Sequence, residues 1–351
     1  MVGRVLLTGG NGFVGAHILE QLLAKGFQVR SVVRSQAKAE QVHSDHPNAG
    51  SKLDFFIVPD ITTAGAFNEA VKSTPPFDTI IHTASPFLYS AANDNLDFLN
   101  PALLGTTEIL KSTKSFAPEV KRVIITSSFA AVIDASVPED AGKIYTSEDW
   151  NPVSWDEALT LDKAWAYRAS KKFAEKAAWD FLRNEKPHFD LVTFNPPMVY
   201  GPLRHSVSKI TDLNQSNARI WNLFINSSKD AELPPNGLYI FADVRDLAYA
   251  HVQAALLPEA SNRRFIFSRS QVSSQEISDI LRENLPELAE RTPIGRPGTK
   301  SLHKGAYDAD STLVKDVLKI RFRSVESTFV DLAKQLLEFE RQGRHDRKVG
   351  Y

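Results

Sequence analysis

The sequence contains no cysteine among its 351 residues and has a formal net charge of −1. The absence of cysteine excludes disulfide bonds, thiolate metal ligands and a cysteine nucleophile. A net charge so close to zero gives the protein no overall field that attracts nucleic acid or anionic lipid. No apolar run approaches the roughly 18 residues of a membrane span, and the run after Met1 is too short for a signal peptide. We therefore expect a cytoplasmic protein without nucleic-acid or membrane partners.

Short apolar runs alternate with amphipathic stretches along the first half of the chain. The runs predict strands at residues 4–8, 28–33, 53–58, 79–82, 123–126 and 191–194. The stretches between them predict a first helix capped by Gly26 and further helices at residues 37–45, 64–73, 93–115 (with a break at Pro101) and 156–183. This alternation predicts an α/β fold, a Rossmann-type doubly wound parallel sheet with helices on both faces.

The pattern changes after Asn195, where prolines and polar loops separate shorter elements. These elements are predicted helices at residues 217–225, 246–256, 274–284 and 324–340 and a predicted strand at residues 264–267. We expect residues 1–195 to form a Rossmann domain. We expect residues 196–351 to form mainly a smaller substrate-binding domain, with residues 238–268 returning in part to the first. The polar segment 204–215 is a candidate lid over the crevice between them.

A glycine-rich turn joins the first predicted strand to the first predicted helix. Gly9, Gly12 and Gly15 have the spacing of a dinucleotide-binding turn. The first glycine permits the tight turn, the second lets backbone approach a pyrophosphate, and the third lets the helix pack on the strand. The amide groups at the helix N-terminus then suit the phosphates. The turn therefore predicts a bound dinucleotide.

The end of the second predicted strand indicates which dinucleotide binds. A carboxylate there would hold a free ribose 2′-hydroxyl, but the sequence has Arg34, followed one helical turn later by Lys38. The guanidinium offers a planar fork that suits a phosphate. We therefore expect NADPH to be preferred over NADH.

Tyr167 and Lys171 are four positions apart in a predicted helix, so their side chains lie one turn apart on the same face. A nearby ammonium favours the phenolate, which predicts a pKa for Tyr167 below its usual value of about 10. Such a phenol can donate a proton to a carbonyl oxygen while hydride reaches the carbon. This spacing occurs by chance in many helices, so the hypothesis depends on the surrounding motifs.

Further motifs follow the predicted strands in order. Asp60-Ile61 follows the third strand and Thr126-Ser127-Ser128 the fifth. The other motifs are the glycine turn, His-Thr-Ala-Ser-Pro at 82–86, the run 167–179, Asn195-Pro196 and Tyr200-Gly201-Pro202. Together they resemble the extended short-chain dehydrogenase/reductases, in particular the dihydroflavonol-reductase-like branch that includes fungal aldehyde and ketone reductases. The resemblance covers nearly the whole chain.

The resemblance implies roles for individual residues. Tyr167 is expected to donate the proton, Lys171 to hold the nicotinamide ribose, and Ser128 to hydrogen-bond the substrate oxygen. Two hydroxyl donors fixed beforehand would stabilise the negative charge that develops on that oxygen. Besides the three glycines, Arg34 and Lys38, the implied cofactor-binding set comprises Phe13, Val14, Asp60, Ile61, Thr83, Ala84, Ser85, Thr126, Tyr167, Lys171, Pro196 and Val199.

The residues expected to contact the substrate are mostly apolar or aromatic, as in most ligand pockets. They are Phe87, Ser128, Phe129, Ile133, Ala164, Tyr167, Met198 and Tyr200. No arginine or lysine stands among them, which favours a neutral aldehyde or ketone over a 2-keto acid. The nine histidines lack metal-ligand spacing, so no metal is expected.

The expected activity is NADPH-dependent reduction of a neutral aldehyde or ketone to the alcohol by a monomer or homodimer. Two alternatives stay open. The first is a sugar-nucleotide epimerase or hydroxysteroid dehydrogenase on the same scaffold; an epimerase would retain tightly bound NAD. The second is a non-catalytic NADPH-sensing regulator, a class that typically lacks the Tyr–Lys pair.

Overall fold

A computed structural model describes residues 3–85, 94–160, 162–299 and 302–344. The strands are β1 (Arg4–Thr8), β2 (Gln28–Val33), β3 (Leu53–Ile57), β4 (Thr79–His82), β5 (Arg122–Thr126), β6 (Ile144–Tyr145), β7 (Asp190–Asn195), β8 (Met198–Tyr200), β9 (Ile240–Asp243), β10 (Arg263–Ile266), β11 (Ser270–Gln271) and β12 (Asp308–Ala309). The α-helices are α1 (Phe13–Ala24), α2 (Gln36–Asp45), α3 (Leu96–Phe116), α4 (Trp155–Thr160), α5 (Lys163–Glu185), α6 (Gln215–Ile220), α7 (Val244–Leu256), α8 (Ser274–Asn284), α9 (Thr312–Leu318) and α10 (Val325–Arg341).

Seven strands form the central sheet in the order β10–β7–β5–β4–β1–β2–β3. Every neighbouring pair in it is parallel. Strand order runs outward in opposite directions from β1 and β4, so a crevice opens at the carboxyl ends of these two strands. The predicted Rossmann-type α/β fold with a doubly wound parallel sheet is confirmed.

Both faces of the sheet are covered by helices, which explains the nearly continuous apolar runs in its strands. Val5 and Leu7 of β1 belong to one buried cluster with residues of α1 and α7. Leu6 points to the other face and belongs to a cluster with residues of α3 and α5. The helices α3 and α5 pack against each other on that second face.

The later part of the chain adds two small sheets that the sequence analysis did not predict. Strand β8 begins three residues after β7 ends and pairs with β9 in the sheet β11–β9–β8. Strands β6 and β12 form a two-stranded sheet. A separate buried cluster joins side chains of β8 and α6 to those of α8 and α10. These strands have two to four residues each, too short for an alternating pattern to be recognised.

The predicted helix at 64–73 is wrong, because the chain forms a series of turns there. Gly65 has a φ of 74°, in the left-handed region, and its amide donates to Glu108 Oε2 at 2.8 Å. Phe67, Ala70 and Val71 are nevertheless buried against the sheet. Turns therefore bury the same apolar side chains whose spacing resembled that of a helix.

Two other helix predictions need correction. The break at Pro101 is wrong, because α3 continues through it near its N-terminal end. The predicted helix 156–183 is two helices, α4 and α5. Helix α5 begins after Asp162, whose carboxylate accepts hydrogen bonds from the amides of Ala164 and Trp165 at 2.9 and 3.1 Å. In the described ranges, no helix is both long and apolar enough to cross a bilayer.

Candidate active site

Gly9, Gly12 and Gly15 form the turn between β1 and α1, and each has its own steric environment. Gly9 has a φ of 73°, and a Cβ there would lie 2.6 Å from Thr83 Oγ1. A Cβ on Gly15 would lie 2.1 Å from the Gly9 carbonyl oxygen, so only glycine lets α1 pack so close to β1. A Cβ on Gly12 would have that same oxygen as its one neighbour within 4 Å, at 3.3 Å. The space beside Gly12 therefore suits a phosphate at the N-terminus of α1.

The glycine turn borders a cleft of about 1170 Å³ at the carboxyl ends of the central strands. This volume exceeds the roughly 300–1,000 Å³ of drug-sized pockets and suits a dinucleotide. The predicted cofactor residues that line it are Gly9, Gly12, Phe13, Val14, Gly15, Arg34, Lys38, Asp60, Ile61, Thr83, Ala84, Ser85 and Thr126. Lining residues that the sequence analysis gave no cofactor role include Asn11, Gln41, His205, Ser206, Ser208, Asp212 and Asn214.

Positive charge collects where the cleft meets β2 and α2. The Arg34 side chain has no ion-pair partner within the described part of the chain, and Lys38 Nζ donates to Gln41 Oε1 at 3.0 Å. Asp60 lies on the same cleft, but its Oδ1 accepts from the amide and hydroxyl of Thr62 at 2.8 and 2.7 Å. These hydrogen bonds lower the pKa of the Asp60 carboxyl. The cleft therefore fits a dinucleotide that carries an additional phosphate beside Arg34.

Tyr167 and Lys171 lie one turn apart on α5, as the sequence predicts. Lys171 Nζ is 5.3 Å from the centroid of the Tyr167 ring. The same ammonium donates a hydrogen bond to Ser85 Oγ at 2.6 Å, and Ser85 lines the large cleft. Phe98 of α3 packs on the Tyr167 ring, with centroids 6.5 Å apart and planes nearly perpendicular. The pair is thus joined to the cofactor cleft through Ser85.

The pKa values of this pair differ from the prediction. Burial raises the pKa of the Tyr167 phenol and lowers the pKa of Lys171 to about 8. The expectation that Lys171 lowers the Tyr167 pKa is wrong, because loss of solvation around the phenolate dominates. The phenol therefore keeps its proton at neutral pH and is ready to act as an acid. The ammonium then stabilises the phenolate that forms when that proton is transferred.

Ser128 caps a short 3₁₀ turn, Phe129–Ala131, that follows β5. Its Oγ accepts a hydrogen bond from the Ala130 amide at 3.1 Å, which leaves the hydroxyl hydrogen to be donated elsewhere. Helix α5 packs against this turn. The Phe129 amide donates to the Pro196 carbonyl oxygen at 2.9 Å, so the turn is also fixed to the β7–β8 connection.

A buried carboxylate connects the serine turn to α5. Glu175 lies two helical turns after Tyr167, and its side chain is 0% exposed. Its oxygens accept hydrogen bonds from Ser127 Oγ, Thr193 Oγ1, Asn195 Nδ2 and Arg264 Nε at 2.7, 2.9, 2.6 and 2.7 Å respectively. Asn195 Nδ2 also donates to the Ser128 carbonyl oxygen at 3.1 Å. We call these five side chains the Glu175 network. No local sequence pattern predicts this network, because its members come from α5, β7, β10 and the loop after β5.

A small cavity of about 20 Å³ is lined by residues of the Glu175 network and by Lys171. Lys171, Ser85 and Glu175 are among the residues that line it. Its volume is close to that of one water molecule. His82 also lines it, and its Nδ1 lies 2.9 Å from Thr8 Oγ1. Burial holds the pKa of His82 at about 4, so the histidine is neutral.

The predicted substrate residues lie in different surroundings. Phe87 falls outside the described residues. Phe129 and Ile133 are buried, and the Phe129 ring contacts those of Tyr145 and Tyr307. Met198 is half-buried and Ala164 is exposed in the first turn of α5. Four residues of the predicted cofactor set do not line the large cleft: Tyr167, Lys171, Pro196 and Val199. The substrate-binding role of the residues at the start of this list, and the cofactor role of these four, stay predictions.

Tyr200 packs into the second buried cluster, with its ring centroid 5.2 Å from that of Phe329. Burial raises the pKa of Tyr200, and the nearby Arg219 guanidinium of α6 opposes that rise. Arg219 is thus a basic side chain next to Tyr200, although the predicted substrate set itself contains no arginine or lysine. Arg219 also donates to the Pro235 carbonyl oxygen and, at 3.0 Å, to Ser274 Oγ, so structural contacts hold its guanidinium. In the ranges described, no group of three histidine or acidic side chains could hold a metal ion.

The sheet order, the glycine turn and the Tyr–Lys pair beside a large cleft define a dinucleotide-binding enzyme scaffold. The chain belongs to the NAD dependent epimerase/dehydratase family, whose model matches residues 5–267. This match and the relatives below confirm the predicted resemblance to the extended short-chain dehydrogenase/reductases.

Among the relatives of the chain is the ketoreductase azaE of Aspergillus niger, which is 40% identical over 336 residues, covering 95% of this chain and 98% of the relative. The NADPH-dependent methylglyoxal reductase GRE2 of Saccharomyces cerevisiae is 37% identical over 343 residues, covering 96% and 98%. The solved structure of yeast methylglyoxal/isovaleraldehyde reductase Gre2 complexed with NADPH superposes with a TM-score of 0.87 at 35% identity, covering 97% of this chain and 99% of that one.

Proposed function

We propose that this protein reduces a neutral aldehyde or ketone to the alcohol with NADPH, and that Tyr167 donates the proton. The observation that carries the proposal is the Tyr167–Lys171 pair, which is hydrogen-bonded through Ser85 to the edge of a dinucleotide-sized cleft. The names of the relatives, a ketoreductase and an NADPH-dependent methylglyoxal reductase, support both the reaction and the cofactor.

When bound, NADPH supplies the hydride, and the side chains of the protein manage the charge that develops on the carbonyl oxygen. The Tyr167 phenol, protonated in the resting enzyme, donates to that oxygen, and Lys171 stabilises the resulting phenolate. The Ser128 hydroxyl gives a second hydrogen bond to the same oxygen. Donors fixed before the reaction stabilise an oxyanion without reorganising during the step.

We further propose that the two parts of the chain bind different ligands. Residues 1–195 bind NADPH, and residues 196–351 supply most of the substrate site, with part of 238–268 returning to the central sheet. The position of β10 at the edge of that sheet supports this division. The apolar character of Phe129, Ile133 and Met198 supports a neutral substrate.

The experiment that tests the function follows loss of the reduced-nicotinamide absorbance over a panel of aliphatic, dicarbonyl and aromatic carbonyl compounds. We expect turnover with NADPH and little with NADH. No oxidation of NADPH by any member of the panel would argue for a sensing protein. Tightly bound NAD after purification, with no net oxidation, would favour an epimerase.

Arg34→Ala is expected to raise the KM for NADPH ten- to hundredfold and to leave the KM for NADH nearly unchanged. The reason is that a charge-assisted hydrogen bond contributes roughly 1.5–3 kcal/mol, and only NADPH carries the phosphate that receives it. Steady-state kinetics with both cofactors measures the effect. Equal changes in the two KM values would contradict the role of Arg34.

The pH dependence should reveal the ionisation of Lys171. Because burial disfavours the ammonium, this lysine is charged below and neutral above a pKa of about 8. We expect kcat/KM for NADPH, which reports groups of the free enzyme, to fall as pH rises through about 8. In Lys171→Arg, whose guanidinium stays charged, the fall should move to higher pH. A fall at the same pH in that variant would assign the ionisation to another group.

A further inference from the structure

The segment at residues 204–208, here called the strap, contributes to the cofactor cleft. His205, Ser206 and Ser208 line the same cleft as Arg34 and Lys38. The strap follows β8, whereas Arg34 and Lys38 follow β2, so two distant parts of the chain meet at this end of the cleft. The strap belongs to the candidate lid at 204–215, and none of its residues has a predicted part in recognising the cofactor.

Side-chain contacts hold the strap against the first two helices. Arg204 Nε forms an ion pair with Glu20 Oε1 of α1 at 2.5 Å. The Ser206 amide donates to Asp45 Oδ2 at 3.0 Å, and the Ser206 hydroxyl donates to the other carboxylate oxygen. Gln41 of α2 donates from Nε2 to the Ser206 carbonyl oxygen at 2.9 Å. These contacts hold the residue before His205 against α1 and the residue after it against α2, the helix that carries Lys38.

The His205 ring lies next to the glycine turn and close enough to Lys38 for the ammonium to lower its pKa. Its centroid is 6.4 Å from that of Phe13, in an edge-on arrangement. The Nδ1 atom is buried and has no hydrogen-bond partner within the described ranges. We therefore assign the ring proton to Nε2, which leaves Nδ1 as a bare acceptor and gives the ring one N–H donor.

Burial and the groups around His205 together keep its ring neutral. Burial, mainly, with the nearby His17 and Lys38, holds its pKa at about 4, against the opposing effect of Asp45. A neutral imidazole beside Lys38 donates a hydrogen bond without adding a second charge that would repel the ammonium. A phosphate brought to this place would accept that hydrogen bond and would also bind Lys38.

We propose that His205 is a third residue, with Arg34 and Lys38, that recognises the 2′-phosphate of NADPH, by donating a hydrogen bond from its ring to a phosphate oxygen. This inference rests on the proposed use of NADPH. The strap thereby contributes to the selection of NADPH over NADH, because a dinucleotide without the 2′-phosphate has no acceptor for this hydrogen bond.

The test measures binding of 2′,5′-ADP and 5′-AMP to the full-length protein by isothermal titration calorimetry. These two nucleotides differ in the 2′-phosphate, and their binding does not depend on turnover. His205→Ala is expected to raise the Kd for 2′,5′-ADP about tenfold and to leave the Kd for 5′-AMP within twofold. His205→Gln, which keeps an N–H donor, is expected to lose less affinity for 2′,5′-ADP than His205→Ala.

His43→Ala is the matched control, because His43 is an exposed histidine on α2 that does not line the cleft. It should leave both Kd values unchanged, and thermal unfolding should show that all variants are folded. If His205→Ala leaves the ratio of the two Kd values unchanged, whether both rise equally or neither rises, the role of His205 is overturned. A wild-type protein that binds the two nucleotides equally would instead overturn the proposed NADPH preference itself.

Discussion

Replacing Tyr167 with phenylalanine is expected to lower kcat by about 10²- to 10⁴-fold, the usual contribution of a positioned acid. The affinity for NADPH should stay within twofold, because the ring and its packing on Phe98 are retained and only the hydroxyl is lost. Steady-state kinetics with NADPH and a carbonyl substrate measures the first effect. A direct NADPH titration measures the second.

The control for this change is Tyr249→Phe, which removes the hydroxyl of a phenol on α7 that is 37% exposed. That variant should keep wild-type kcat. Wild-type turnover by Tyr167→Phe would refute the mechanism. A loss of NADPH binding equal to the loss of kcat would mean that the phenol positions the cofactor and does not transfer the proton.

Glu175→Gln is expected to lower the free energy of unfolding by about 3–5 kcal/mol, because it leaves the buried Arg264 guanidinium without its counter-ion. The side chains of this pair are 0% and 8% exposed, so water cannot take over the lost interaction. The variant should also lower kcat, since the Ser127 and Asn195 hydrogen bonds that fix the serine turn weaken. Chemical denaturation and steady-state kinetics measure the two effects.

The matched control is Glu287→Gln, which breaks an exposed ion pair with Arg341. The two side chains are 48% and 57% exposed, and such pairs contribute at most about 1 kcal/mol. Combining Glu175→Gln with Arg264→Met removes the unpaired charge as well, so the double variant should recover part of the lost stability. Equal destabilisation by Glu175→Gln and Glu287→Gln would show that burial of the Glu175 network has no energetic consequence.

The parts of the fold and site that could be predicted are those encoded within short stretches of sequence. The glycine turn needs only a strand, three glycines and a helix, and the Tyr–Lys pair needs only helical spacing. The apolar runs of the central strands are long because both faces of the sheet are buried. Each of these features leaves a periodic or local pattern in the sequence.

The features that could not be predicted depend on contacts between distant residues. The turns at 64–73 bury Phe67, Ala70 and Val71 as a helix would, so apolar spacing could not separate the two structures. Arg264 and Glu175 are 89 positions apart, and the sequence around either residue does not indicate its partner. The Tyr167 pKa also escaped prediction, because burial by tertiary packing outweighs the effect of a charge one helical turn away.

Strand β10 is the last of the seven to be synthesised, and it brings Arg264 to the carboxylate of Glu175. A nascent chain that ends before residue 263 already contains Tyr167, Lys171, Ser128 and the whole glycine turn. It lacks the cation that makes burial of Glu175 favourable. We therefore expect fragments truncated before β10 to be less stable and more readily degraded than the full chain, although they carry all the proposed catalytic residues.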